Sequence, residues 1–203
     1  MKRLVVGITG ASGAVYGVRL VEELLAGGVE VHLIVSEPAR LVISDELGWD
    51  FAAGLVETCR KRIGGGDKDT LFVYDNRDIG APLASGSFLV QGMVVIPCSM
   101  STLSGIAQGS SNNLMERAAD VMIKEKKLLV LVPRETPLSV IHLQNMLFLA
   151  RLGAAIVPAM PGFYHHPQSV EEIVDFMVGK VMDLLGLEHQ LFTRYNPSEP
   201  KMI

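Results

Sequence analysis

Leu4-Val5-Val6-Gly7-Ile8-Thr9-Gly10-Ala11-Ser12-Gly13-Ala14-Val15-Tyr16-Gly17 is the stretch that decides the fold. Its first six residues form an apolar run, its next four a glycine-rich turn, and Ala14–Ala26 then carries apolar residues at helical spacing: Val15, Val18, Leu20, Val21, Leu24 and Leu25. A strand, a tight turn and a helix in that order open an α/β unit. A turn of this kind lets backbone N–H groups approach an anion, and the helix dipole favours negative charge there. The spacing Gly10-x-x-Gly13-x-x-x-Gly17 is a loose form of the dinucleotide fingerprint. It reads equally as a tight strand-to-helix turn without a ligand. Glu37, just after the second strand, leaves NAD open at this point.

The pattern continues along the chain. Val29–Val35 is expected as a strand, Pro38–Leu47 and Phe51–Ile63 as helices, Leu71–Tyr74 as a short strand and Asp75–Val90 as a loop. Met93–Pro97, Leu128–Pro133 and Ala154–Val157 read as further strands. Asn113–Lys126, Leu138–Leu152 and Ser169–Leu185 read as helices, and the segment from Gly186 on as an irregular tail. Alternating strands and helices predict an α/β fold: an open, mostly parallel, Rossmann-like three-layer sheet with helices on both faces. Strands that are apolar throughout fit a sheet covered on both sides.

Composition narrows the classes. The chain has 203 residues, 49% hydrophobic and 20% charged, with a net charge of −4. Mean hydropathy is +0.33. High hydrophobicity with low net charge excludes disorder, and the acidic balance carries no nucleic-acid footprint. Apolar runs such as Leu128–Val132 fall well short of the ~20 residues of a membrane helix. The glycines from Gly7 to Gly17 interrupt what would otherwise pass for a signal peptide. Two cysteines, Cys59 and Cys98, without a CxxC pair point to a reducing, cytoplasmic setting.

In open α/β sheets ligands bind outside the carboxyl ends of the strands. Here those ends carry Thr9-Gly10-Ala11-Ser12, Ser36, Ser99-Met100-Ser101-Thr102, Arg134-Glu135 and Tyr164-His165-His166. Ser99 or Ser101 taken alone reads as a helix cap. Together the hydroxyls, guanidinium and phenol point to a polyanionic ligand. Arg117 and Lys124 stand seven residues apart on one helix face, a spacing that suits a phosphate and equally a solvated basic face. His165 and His166 are adjacent and lack a third ligand at useful spacing, so no metal is expected. Cys98, without a partnered His or Asp, reads as a small buried residue, and His32 and His142 as side chains of apolar elements.

These residues resemble a known family. Gly10-Ala11-Ser12-Gly13-Ala14, Ala84-Ser85-Gly86-Ser87, Pro97-Cys98-Ser99-x-x-Thr102-Leu103-Ser104, Arg117-Ala118-Ala119-Asp120-Val121, Val132-Pro133-Arg134-Glu135-Thr136-Pro137 and Gly162-Phe163-Tyr164-His165 are similar to the motifs of the UbiX/Pad-type flavin prenyltransferases. The likeness runs over residues 1–188. It implies a flavodoxin-like fold that binds FMN between subunits of a homo-oligomer, commonly a dodecamer. It implies transfer of a dimethylallyl group from dimethylallyl monophosphate to N5 and C6 of reduced FMN, without a metal. The product would be a cofactor for UbiD-type decarboxylases. Residues 1–185 would be one FMN-binding domain and 186–203 a tail docking on a neighbouring subunit.

By the same resemblance, Gly10, Ala11, Ser12, Ser36, Ser99, Met100, Ser101, Thr102 and Arg134 would hold FMN. Ala84 and Ser85 would lie against the flavin ring, and Arg117, Lys124, Glu135, Tyr164 and Lys180 would hold the prenyl phosphate. Ser12, Glu46, Lys124 and Glu135 would be the catalytic set, Glu135 as proton donor to phosphate and Glu46 as acceptor of ring protons. Three positions depart from the family: Lys180 where many members have Arg, Ile79 where some have Trp, and Tyr195 where the tail often has Trp. The alternatives are a flavin-dependent decarboxylase of cysteine-type substrates and a non-enzymatic FMN carrier. The first uses a catalytic His and a Pro-x-Ala-x-Asn-type segment, where this chain has Pro97-Cys98-Ser99-Met100.

The apolar surplus bears on assembly. In Leu138–Leu152, one stripe holds Leu138, Ile141, Phe148 and Leu152, and another holds Val140, Leu143, Met146 and Leu147. A helix apolar on two sides is expected to be buried on two sides. One side can face its own sheet, and the other calls for a second copy of the chain.

Overall fold

Strands that are apolar at nearly every position must be covered on both faces, and they are. The computed structural model describes residues 2–194. Six parallel strands form one sheet: β1 (Arg3–Ile8), β2 (Glu30–Val35), β3 (Leu71–Asp75), β4 (Gly92–Cys98), β5 (Leu128–Pro133) and β6 (Ala155–Ile156). Their spatial order is β3-β2-β1-β4-β5-β6. Every residue of β4 is buried, and in β1 only the first is not.

Seven helices complete the layers: α1 (Ala14–Ala26), α2 (Glu37–Leu47), α3 (Leu55–Arg62), α4 (Met100–Ala107), α5 (Leu114–Lys124), α6 (Val140–Arg151) and α7 (Val170–Leu184). Successive strand residues point to opposite faces. Leu4, Val6 and Ile8 thus join a core with residues of α1, α2, α3 and α7. Val5, Met93, Val95, Leu129 and Leu131 join a second core with α4, α5 and α6. The result is the expected three-layer, flavodoxin-like arrangement.

The outer helices show why local pattern alone misleads at some ends. The expected helix Phe51–Ile63 begins only at Leu55, because Gly54 at φ 94 adopts a backbone that other residues avoid. Helix α4 follows the cap that Ser99 offers, but its sequence, Met-Ser-Thr-Leu-Ser-Gly-Ile-Ala, dilutes the apolar stripe to Leu103, Ile106 and Ala107, so periodicity does not set its extent. In α6 only Met146 and Leu149 are buried. Ile141 and Phe148 remain 66% and 49% exposed, so most of both apolar stripes faces outward. Among the described residues no helix is long and apolar enough to cross a membrane.

The segment after α7 was expected to reach a neighbouring subunit. Its described part packs on the chain's own α7, with Phe192 against Phe176 at 5.1 Å and Arg194 bonded to Asp183 at 2.6 and 3.2 Å. Residues 195–203, with Tyr195, lie outside the described residues.

Candidate functional site

The order of the strands places one crevice between the carboxyl ends of β1 and β4, where the chain reverses its direction of travel across the sheet. Ligands of open α/β sheets bind at such a switch point. Thr9 spans it. Its hydroxyl donates to the Pro97 carbonyl at 2.7 Å and accepts from the Ser99 N–H at 2.8 Å. Thr9 is 1% exposed, and its bond to the Pro97 carbonyl is buried. This residue was not singled out from the sequence beyond its place at a strand end.

Two helices start at the crevice. Ser36 caps α2 by accepting from the Ala39 N–H at 3.1 Å, and Ser99 caps α4 by accepting from the Thr102 N–H at 3.3 Å. Ser99 also bonds the Thr102 hydroxyl at 3.1 Å. Capping therefore accounts for both serines locally. It also leaves first-turn N–H groups, including those of Met100 and Ser101, without intrahelical acceptors. On the third side, half-buried Arg134 donates from Nε to the Ser12 carbonyl at 3.1 Å, and its N–H bonds Cys98 O at 3.3 Å. Gly10, Ala11, Ser12, Ser36, Arg134 and the Ser99–Thr102 turn thus ring one crevice within one protomer. Cys98 lies beneath, fully buried, and burial pushes its thiol up to about 12.

The far end of the glycine turn is held by a side chain from α2. The anion at the N-terminus of α1 is the chain's own Glu46. Its carboxylate accepts from Gly13 N–H at 3.0 Å and from Ala14 N–H at 2.9 Å. Sequence spacing alone does not reveal this, because the partners are more than thirty residues apart. Two glycines have packing reasons. A Cβ on Gly10 would sit 2.5 Å from Pro38 Cβ, and one on Gly17 would sit 2.4 Å from the Ile96 carbonyl. Glu46 takes only the Gly13 and Ala14 N–H groups, so the turn Gly10–Ser12 and the first turn of α4 still face the crevice.

The residues expected at the prenyl phosphate are not gathered in one protomer. Helix α5 starts beside the carboxyl end of β3, where Leu114 N–H bonds Asn76 O at 2.8 Å. It ends beside the amino end of β5. Arg117, one turn from its start, has a buried Nε without a hydrogen-bond partner among the described residues. Lys124, at its end, lies about 10 Å further along the axis. There it stands 3.6 Å from Glu125, whose carboxylate packs against Gly86. The Ala84-Ser85-Gly86 segment therefore neighbours Lys124, at the end of the strands opposite the crevice.

Tyr164 and Lys180 belong to the other face of the sheet. Tyr164 meets Phe176 of α7 edge-on at 5.6 Å, and Lys180 is one turn beyond Phe176. Lys180 is 3.9 Å from Asp183. Glu135, exposed, accepts from Thr136 N–H at 2.9 Å and borders a cavity of about 70 Å³ with Arg134, Leu138, Met146 and Met160. Ile79 is exposed. At the rim, Arg77 and Arg40 hold the Asp75 carboxyl well below the usual carboxylate range.

The profile of the flavoprotein family matches residues 1–182. A flavin prenyltransferase UbiX of Halalkalibacterium halodurans is 52% identical over 196 residues, 94% of this chain and 91% of that protein. The chain belongs to the UbiX-type flavin prenyltransferase family. A flavin prenyltransferase UbiX of Pseudomonas aeruginosa is 46% identical over 96% of this chain and 94% of that protein. Among solved structures, AnUbiX in complex with FMN and dimethylallyl pyrophosphate is 40% identical. It superposes with a TM-score of 0.85, over 98% of this chain and 99% of that one. A dodecameric FMN-dependent UbiX-like decarboxylase from Escherichia coli is 45% identical, with a TM-score of 0.84 over 96% of this chain and 99% of that one. A mutant PPC decarboxylase at 18% identity and a TM-score of 0.56, over 79% of this chain and 83% of that one, shares the fold alone. The chain therefore shares its Rossmann-like sheet with solved structures of this family.

Proposed function

We propose that the protein is a flavin prenyltransferase, joining the dimethylallyl group of dimethylallyl monophosphate to N5 and C6 of reduced FMN. The observation that carries this is the convergence of two capped helix N-termini, Ser36, Thr102 and Arg134 on the switch-point crevice of a chain 52% identical to a flavin prenyltransferase. That donor set fits the phosphate of FMN: free first-turn N–H groups, hydroxyls and one guanidinium. When bound, reduced FMN supplies the electron-rich ring that accepts the allyl group.

The chain's own residues would do the following. Gly10, Ala11 and Ser12 line the crevice beside the flavin, with Ser12 held by Arg134. Glu46 holds the N-terminus of α1 and thereby the Ser12 turn. Breaking the allyl–oxygen bond sends its electron pair to the departing phosphate. Arg117, Lys124, Lys180 and the Tyr164 hydroxyl stabilise the charge that builds there, and Glu135 supplies a proton. A monophosphate is a weaker leaving group than a diphosphate, which raises the demand on those cations. Lys180 offers a point charge where Arg would offer a fork. Ala84 and Ser85 lie against the flavin ring.

Assembly is part of this reading. Arg134 and Lys124 sit at opposite ends of the strands of one sheet, and Lys180 on its other face. Neighbouring copies bring them together, with the exposed apolar face of α6 as contact surface. A closed homo-oligomer, a dodecamer as in the Escherichia coli relative, suits that geometry. The product would pass to a UbiD-type decarboxylase. Both described cysteines are buried and free, in keeping with a cytoplasmic setting. Mass spectrometry of flavin retained after expression tests the reading. A flavin heavier than FMN by one C5 unit supports it. Unmodified FMN, with release of CO2 from cysteine-type thiols, would favour the decarboxylase alternative.

A further inference from the structure

We infer that His165 is a positioning residue for Tyr164, acting through the face of its ring and not through its nitrogens. The inference rests on reading Tyr164 and Lys180 as ligands of the prenyl phosphate.

Both ring nitrogens of His165 are buried and have no hydrogen-bond partner among the described residues. A buried imidazole of that kind would normally be tied by at least one nitrogen. What holds this one is stacking. Its ring lies flat on Phe176, with centroids 4.8 Å apart and an interplanar angle of 5°. Phe176 is itself 5% exposed and packs on its other side against Phe192 at 5.1 Å. Phe192 occupies the space left by Gly179, where a Cβ would fall 2.5 Å from its ring.

Tyr164 leans on the end of this stack. Its ring meets His165 at 5.9 Å and 78°, and Phe176 at 5.6 Å and 82°, both edge-on as aromatic quadrupoles prefer. Phe176 and Lys180 are one helical turn apart on α7. One aromatic stack, from Phe192 through Phe176 to His165, thus fixes the loop that carries Tyr164 relative to the helix that carries Lys180. A flat ring at position 165 is what the stack requires.

The test is calorimetric binding of dimethylallyl monophosphate to oxidised, FMN-loaded protein, where no turnover intervenes. His165→Ala is expected to weaken binding about tenfold, the scale of one aromatic pair. FMN affinity should stay unchanged, and the thermal midpoint should fall by no more than the few degrees that one lost aromatic pair costs. His165→Phe, which keeps the ring and removes the nitrogens, should bind within about twofold of wild type. In a Tyr164→Ala background, His165→Ala should add nothing further. If His165→Ala fails to fold, His165→Leu takes its place, with the same expected loss. Equal loss in His165→Phe and His165→Ala would overturn the inference, because the nitrogens would then be acting. So would wild-type binding in His165→Ala or His165→Leu, or additive loss in the Tyr164→Ala background. Failure of the prenyl-transfer reading shows in the wild type, which would then not bind dimethylallyl monophosphate, and it would take this inference with it. Failure of the inference alone shows only in the variants.

Discussion

Thr9 and Ser99 are 90 residues apart in the chain and joined by one hydrogen bond of 2.8 Å across the switch point of the sheet. Because Thr9 also donates to Pro97, one hydroxyl fixes the carboxyl end of β1 against that of β4. The turn that leads into α4 starts from this clamp.

Thr9→Val keeps the shape of the side chain and removes both bonds. It leaves the half-buried Ser99 N–H unpaired, while the Pro97 carbonyl keeps the Thr9 N–H at 3.4 Å, at an expected cost of about 1–2 kcal/mol. Urea denaturation should show that loss, and FMN affinity should fall with it. A variant as stable as wild type would contradict the clamp.

Glu46→Ala frees the N–H groups of Gly13 and Ala14. Loss of a helix N-cap costs ~1 kcal/mol. The expected outcome is a modest loss of stability together with slower flavin modification, because Ser12 belongs to the turn that Glu46 holds. Slower reaction with unchanged stability would return Glu46 to the role of proton acceptor alone.

Much of the fold was legible because apolar runs and helical spacing report burial directly. The boundaries of α1 at Ala14 and Ala26 follow from Val15, Val18, Val21 and Leu25. Helix α4 was legible only by its cap, since Ser101, Ser104 and Gly105 break its apolar stripe. The site was legible by type and resemblance but not by place. The seven-residue spacing of Arg117 and Lys124 gives a common helix face, yet separates them by two turns along the axis. A helix leading into a parallel strand ends at that strand's amino end, so Lys124 falls away from the carboxyl-end crevice, while the neighbours of each end are set by contacts between distant segments. The Glu46 cap stayed hidden for the same reason.

Asp75 should shape the acid side of the stability curve. Hydrogen bonding to Arg77, with the Arg40 guanidinium beside it, depresses its folded-state value. A depressed carboxylate contributes stability above the unfolded value, about 3.9, and loses it as pH falls toward the folded value. The stability difference between wild type and Asp75→Asn should therefore be constant above about pH 5 and shrink below about pH 4. A difference that grows on acidification would contradict this assignment.

Opposite placement of Arg134 and Lys124 predicts complementation between subunits. Lys124→Ala and Arg134→Ala should each slow flavin modification by roughly 10²-fold or more when assembled alone. Co-expressed, the two should recover a fraction of wild-type rate, because some sites draw Arg134 from one copy and Lys124 from another. No recovery in proven mixed oligomers would place both residues in one protomer's site.

Charge on the apolar face of α6 should disperse the assembly. Ile141→Glu with Phe148→Glu is expected to sediment as a smaller species than wild type, with the sheet intact by circular dichroism. Activity should fall together with assembly, since the prenyl-phosphate residues then lose their neighbours. Full activity in a dispersed protein would contradict a shared site.

The most direct measurement is the mass of the flavin after anaerobic incubation of the protein with FMN, a reductant and dimethylallyl monophosphate, beside an active relative. Prenyl transfer predicts a flavin heavier by one C5 unit and release of inorganic phosphate in equal amount. Recovery of unmodified FMN alone, while the relative converts its own, would contradict it.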